Sequence, residues 1–160
     1  MAKNPDPTLP ITSLTGKTRT LDDWLTIFHL CMVVLPGRPE AAQFVPVAER
    51  ALKVFRDADC RTAVLVTGNE TSARKILGPL ADRYVVYVDQ ERALVKSLGL
   101  ERLPAFVHLR ADTTVVDVAE GWEPDAWDRV AEGVANSMKW TRPVYPLPGD
   151  PPAFEGWATA

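Results

Sequence analysis

Cysteine is nearly missing from this 160-residue chain. There are two, Cys31 and Cys60, too few for a disulfide scaffold or a four-ligand zinc cage. Histidine is as scarce: only His29 and His108 occur, with no third ligand at metal spacing, so no metal site is expected. The longest apolar run, residues 30–35, has six residues, whereas a membrane span needs roughly 18. No membrane association is expected. The opening Met1-Ala2-Lys3-Asn4-Pro5-Asp6-Pro7 carries no apolar stretch of signal-peptide length, which makes a cytoplasmic protein the expectation. There is also no basic surplus. Eighteen Lys and Arg against 21 Asp and Glu leave a formal charge of −3, which argues against a general nucleic-acid binder. No carboxylate pair, Ser/His/Asp set or phosphate loop points to another enzyme class, and no cofactor is expected.

What the chain does have is proline, 14 in all, crowded at the two ends. Between them, strand-like and helix-like segments alternate. Residues 29–35 are almost wholly apolar, as in a strand covered on both faces. Pro36-Gly37 ends it. A helix is expected from Pro39, with Ala41, Phe44, Val45, Ala48, Ala51, Leu52 and Phe55 on one face and a kink at Pro46. Residues 62–67 read as a second strand. A helix capped by Asn69 and bent at Gly78-Pro79 follows it. Residues 84–88 form a third strand, and Asp89 starts a short helix that Gly99 stops. Residues 105–110 and 113–119 read as an antiparallel pair turning at Ala111-Asp112. The last helix opens with Pro124 and buries Trp127, Val130, Ala131, Val134 and Met138. This order predicts a three-layer α/β sandwich: a mixed β-sheet flanked by helices, with an antiparallel edge. The domain runs over residues 1–141, and residues 142–160 make a Pro- and aromatic-rich tail.

Three segments resemble the thioredoxin-like superfamily in its peroxiredoxin and TlpA-like branch. Leu9-Pro10-Ile11 with Leu14-Thr15-Gly16-Lys17-Thr18-Arg19-Thr20-Leu21 is similar to that branch's leading hairpin. The apolar strand, its Pro-containing turn and Phe44-Val45-Pro46-Val47 resemble the segment that holds the redox centre. Leu98-Gly99-Leu100-Glu101-Arg102-Leu103-Pro104-Ala105-Phe106-Val107 resembles the entry to the cis-proline strand. With Pro46 as the anchor, the family's Cys-x-x-Cys pair falls on Arg38-Pro39-Glu40-Ala41, which holds no thiol. The resemblance therefore implies a thioredoxin-like domain without the family's redox centre.

The candidate residues follow from that placement. Gly37, Arg38, Pro39 and Glu40 at the helix start, with Leu103 and Pro104 alongside, would form a binding groove. In the resembled family the cis-proline loop pairs backbone-to-backbone with a bound polypeptide. Exposed amides and Arg38 could also receive a carboxylate, or Glu40 could simply complement the helix dipole. Cys31, mid-strand, reads as a small buried hydrophobe. Cys60, beside Asp57 and Asp59, should have a raised thiol pKa. His108 reads as a hydrogen-bonded structural residue. Trp140, just before the tail, and the tail aromatics Tyr145, Phe154 and Trp157 want burial. The tail is expected to pack on its own domain or on a twin, giving a homodimer, with a recognition peptide as the other reading.

The favoured function is a redox-silent module that binds a polypeptide partner through this groove, as an assembly or chaperone protein does. Leu21-Asp22-Asp23-Trp24-Leu25 and Gly121-Trp122-Glu123-Pro124 look like the hydrogenase-assembly chaperone branch. The alternative is a thiol oxidoreductase, a disulfide reductase or peroxidase-like enzyme, that uses a displaced cysteine, Cys60 or Cys31.

Overall fold

The computed structural model describes residues 2–159. Its sheet is assembled around one strand, β3 (His29–Pro36). Leu30 through Leu35 are all fully buried, the outcome expected where apolar side chains leave both faces of a strand. Alternate residues serve two separate cores: Cys31, Val33 and Leu35 face one, and Leu30, Met32 and Val34 face the other. Parallel β4 (Cys60–Thr67) lies beside β3, and β5 (Val85–Val88) lies parallel beside β4. On the far side of β3, β7 (Ala105–Leu109) runs antiparallel and leads into β8 (Val115–Glu120). The leading hairpin, β1 (Pro10–Ser13) with β2 (Thr18–Thr20), adds antiparallel to β5. The seven-stranded order is β2-β1-β5-β4-β3-β7-β8. The mixed sheet and its antiparallel edges are as expected.

Helices cover both faces. The first core is closed by α2 (Val45–Phe55), α3 (Glu70–Leu77), α4 (Leu80–Arg83) and α6 (Pro124–Met138). The second is closed by α1 (Leu21–Leu25) and α5 (Ala93–Leu98). The Asn69 side chain accepts from the Ser72 amide at 2.8 Å and so caps α3. Asp89, largely buried, accepts from the amides of Ala93, Leu94 and Val95. Burial pushes its carboxyl pKa up, and these three amides pull back against that rise. Gly99 ends α5 in the left-handed conformation at φ +69°. Among the described residues no helix is long and apolar enough to cross a membrane.

Two expectations are corrected. The helix expected from Pro39 with a kink at Pro46 is instead two elements. A 3-10 segment covers Pro39–Phe44, and the α-helix begins only at Val45. Proline has no amide to donate, so Pro46 fits within the first helical turn, where that donor is not needed. Ala41 and Phe44 still point inward, because a 3-10 turn also returns a side chain to the same face every three residues. The second correction concerns the late hairpin. Its second strand starts at Val115, and the turn spans residues 110–114. Thr113 there adopts φ +69°, and Asp112 accepts from both the amide and the hydroxyl of Thr114.

Candidate functional site

The C-terminal end of β3 sets the position of residues 37–40. The Gly37 amide donates to the Thr67 hydroxyl at 3.2 Å. A Cβ at Gly37 would lie 2.5 Å from the Thr67 carbonyl oxygen, so only glycine lets the two strand ends lie this close. Arg38, Pro39 and Glu40 are exposed. Arg38 Nε donates to Glu40 Oε2 at 3.2 Å; a backbone hydrogen bond first, and then this one, lowers the Glu40 carboxyl pKa. Because α2 starts at Val45, the α-helix start expected beside Arg38 is not there. Pro39 and the 3-10 turn occupy that place. A cavity of about 170 Å³, lined by Gly37, Pro39, Ser72, Lys75 and Ile76, borders this corner.

Leu103 and Pro104 lie on a separate segment, at the entry to β7. The short strand β6 (Arg102–Leu103) precedes the Leu103–Pro104 peptide, which is cis. Both Leu103 and Pro104 are buried. The Pro104 carbonyl accepts from the Gly121 amide at 2.7 Å. Glu120 Oε1 accepts from the Arg102 amide at 3.1 Å, which holds the loop to the start of the β8–α6 connection.

The tail returns to contact both Arg38 and this segment. Its strand β9 (Trp157–Ala158) pairs antiparallel with β6, Trp157 opposite Leu103 and Ala158 opposite Arg102. The Thr159 amide donates to the Glu101 carbonyl at 3.0 Å, and Arg102 Nη1 donates to the Gly156 carbonyl at 3.2 Å. Trp157 meets Phe44 edge-on, with centroids 5.8 Å apart, and lies 4.7 Å beneath the Arg38 guanidinium. Phe154 stacks on Phe44 at 5.9 Å and exchanges two backbone hydrogen bonds with Trp122, each 2.7 Å long. Trp157 thus touches both Arg38 and the Leu103 strand, and bridges the two halves of the candidate groove. Phe44, Trp122, Phe154 and Trp157 complete the site but were not among its sequence-expected residues. For Phe154 and Trp157 the signal was the aromatic content of the tail; its register against Leu103 has no local signature.

Upstream of the groove the tail is fastened to α2. Arg50 donates through both terminal nitrogens to Asp150, at 2.8 and 2.5 Å, and lowers the Asp150 carboxyl pKa. Tyr145 is buried and donates to the Val47 carbonyl at 2.9 Å. Through these contacts the tail packs on its own domain.

Both cysteines lie at the other end of the sheet. Cys31 is fully buried, and burial above all, with Cys60 nearby, pushes its thiol pKa well up. Cys60 begins β4, opposite His29 in the ladder. Burial and then Asp59 push its thiol pKa up to about 11; the thiolate form is therefore scarce at neutral pH. The ladder rises roughly 3.3 Å per residue, so each thiol is on the order of 20 Å from Gly37. The two thiols are free. His29 and His108 meet one another instead, Nδ1 to Nε2 at 2.9 Å. His108 is fully buried, and its Nδ1 finds no hydrogen-bond partner among the described residues.

Known structures place this architecture. A putative thiol:disulfide interchange protein, DsbE, from Chlorobium tepidum superposes with a TM-score of 0.70 at 13% identity, over 86% of this chain and 98% of that one. Peroxidoxin BcpB from Mycobacterium tuberculosis gives 0.64 at 16% identity, over 87% and 97%. Mycobacterium tuberculosis dsbF gives 0.65 at 13% identity, over 81% and 95%. No protein-family model and no curated protein matches the chain. The fold is thioredoxin-like, of the kind shared by disulfide-interchange proteins and peroxiredoxins. At the place where the resemblance put the redox pair, this chain carries Arg38, Pro39, Glu40 and Ala41.

Proposed function

We propose that this chain is a redox-silent thioredoxin-like module that binds a polypeptide partner in the groove between Arg38 and Leu103-Pro104, in an assembly or chaperone role. One observation carries the reading: the β6 edge beside Pro104 is paired with an extended chain segment whose aromatic side chain fills the space up to Arg38. Adding a strand to an exposed edge supplies affinity through the backbone, while pockets for the side chains supply selectivity. The chemistry of the thiols supports the silent half of the proposal. A nucleophilic cysteine needs a thiolate stabilised by positive charge or a helix start, whereas burial acts on Cys31 and Cys60 in the opposite direction.

Disulfide-reductase and peroxidase turnover of the purified protein, measured beside a Cys31→Ser/Cys60→Ser variant, tests the silent half. Equal, background turnover in both is expected; turnover lost only in the variant would assign the activity to a displaced cysteine. Partner capture by the intact protein, set against Arg38→Glu, tests the groove. Capture that survives this charge reversal unchanged would place the partner elsewhere.

A further inference from the structure

The tail segment in the groove is built as a ligand is built. Residues 154–159 meet the domain through backbone pairing at Trp122, Leu103 and Glu101, and through two aromatic side chains gathered around Phe44. Glycines shape both sides of the contact. A Cβ on Gly121 would stand 2.5 Å from the Glu155 carbonyl oxygen, so the domain surface is cut back where the tail backbone crosses it. Gly156 adopts φ +101°, and a Cβ there would stand 2.9 Å from both the Arg102 Cβ and the Leu103 carbonyl oxygen. The Thr159 hydroxyl donates to the Leu100 carbonyl at 2.7 Å.

This strip is separable from the rest of the tail. The fastenings at Tyr145 and Asp150, and the Trp122 indole that donates to the Pro151 carbonyl at 2.8 Å, all lie upstream of it. Beyond them, β9 is two residues long, and Phe154 and Trp157 are only partly buried. The anchors of residues 145–151 involve none of residues 153–159.

We propose that residues 154–159 are an intramolecular competitor for this groove. The partner segment admitted there is an extended peptide of the pattern aromatic-x-Gly-aromatic-small, its second aromatic taking the place of Trp157 between Phe44 and Arg38. The inference rests on the polypeptide-binding reading above and adds the chemistry of the partner and the element that holds it off. A tethered competitor acts at an effective concentration in the millimolar range. A partner therefore binds the intact chain with its intrinsic affinity reduced by the fraction of molecules that are open.

The test uses the full chain and a labelled peptide with the sequence of residues 150–159. Gly156→Val in the protein forces a side chain against Arg102 and Leu103, dislodging β9 while every groove residue contributed by the domain is kept. Phe154→Ala/Trp157→Ala dislodges it by a second route. Hydrogen exchange at the Trp122 amide, bonded to Phe154, reports release. Both variants are expected to bind the peptide at least tenfold more tightly than the unaltered chain. Peptides carrying Trp157→Ala or Gly156→Val should lose that binding. Equal binding to the unaltered and opened proteins would remove the competitor and leave the groove reading standing. Absence of binding to proteins whose Trp122 amide is freed would overturn the ligand pattern; Arg38-dependent partner capture would then decide the groove separately. A Trp122 amide that stays protected in both variants would show that the strip does not open, and the proposal would fall.

Discussion

The guanidinium of Arg38 lies 4.7 Å from the ring centroid of Trp157, two residues 119 positions apart in the chain. Arg38 stands where the resemblance placed the first thiol of a redox pair. It shares its charge with exposed Glu40 and presents its face to an indole delivered by the tail. Trp157 links the position to the Leu103 strand, and it offers cation–π contact and hydrogen bonding where the resemblance placed sulfur. That exchange suits reversible recognition of an aromatic side chain, because the guanidinium plane stacks without needing a fixed covalent partner.

Arg38→Ala should loosen the tail without unfolding the domain. An exposed cation–π contact contributes about 0.5–1 kcal/mol, so local opening at the Trp122–Phe154 bridge should become roughly two- to fivefold more frequent. Hydrogen exchange of the Trp122 amide measures this, and the global unfolding midpoint should hardly move. No change in exchange would mean that Phe44 and the β6 pairing hold Trp157 unaided.

Much of the fold was legible in the sequence, for reasons that particular residues show. Residues 30–35 could only be a strand covered on both faces, and they are. Asn69 at a helix start and Gly99 at a helix end mark boundaries by local chemistry, and both do so here. The segment from Pro39 to Phe44 was misjudged because Ala41 and Phe44 continue the inward stripe of α2, whether the backbone is α or 3-10. The candidate site was half legible. Residues 37–40 and 103–104 are marked by their order around Pro46 and Pro104. The pairing of Trp157 with Leu103 depends on a two-residue strand 54 positions away, reached through Gly156 at positive φ. No periodicity in so short a segment can encode that register.

Gly121→Ala should cost more than Gly78→Ala, although both glycines sit at positive φ, +80° and +56°. At Gly78 a Cβ meets nothing within 4 Å, so the substitution there costs only the unfavourable backbone conformation, φ +56° with ψ −134°, about 1–3 kcal/mol. At Gly121 the same atom also meets the Glu155 carbonyl at 2.5 Å. The added collision should raise the total above the cost at Gly78 and free residues 154–159. Urea unfolding of the two variants gives the comparison, and Trp122 exchange should rise only for Gly121→Ala. Equal costs would mean that the tail shifts aside without loss.

The Arg50–Asp150 pair should release the tail in acid. Arg50 lowers the folded-state Asp150 carboxyl pKa, so its stabilisation is fully present above the unfolded value of about 3.9. It is lost as pH falls below that value and through the lower, folded one. Asp150→Asn should reproduce the acid state at neutral pH. Charge-assisted bonds of this kind contribute about 1.5–3 kcal/mol, and most of it should appear as faster exchange in residues 144–159. A variant whose tail exchange matches the unaltered chain at pH 7 would show that Tyr145 and the Trp122 indole anchor the segment without Asp150.

A second, separate pH window belongs to His29 and His108. Burial lowers both imidazole pKa values; that of His108, which His29 and Arg110 lower further, falls to about 4. Both rings are therefore neutral in the fold at pH 7, and in their shared hydrogen bond one nitrogen donates to the other. The unfolded chain takes up a proton near pH 6.5 that folded His108 refuses until about pH 4. Stability conferred by the neutral pair is therefore full above pH 6.5 and declines as pH falls towards 4. The decline should reach roughly 2 kcal/mol by pH 5 from His108 alone, before Asp150 begins to titrate. Urea midpoints at pH 7.5, 6 and 5 measure it, and His108→Leu should flatten that slope while leaving the loss below pH 4 in place. A slope that persists in His108→Leu would assign the window to His29 alone, since no third histidine exists in the chain.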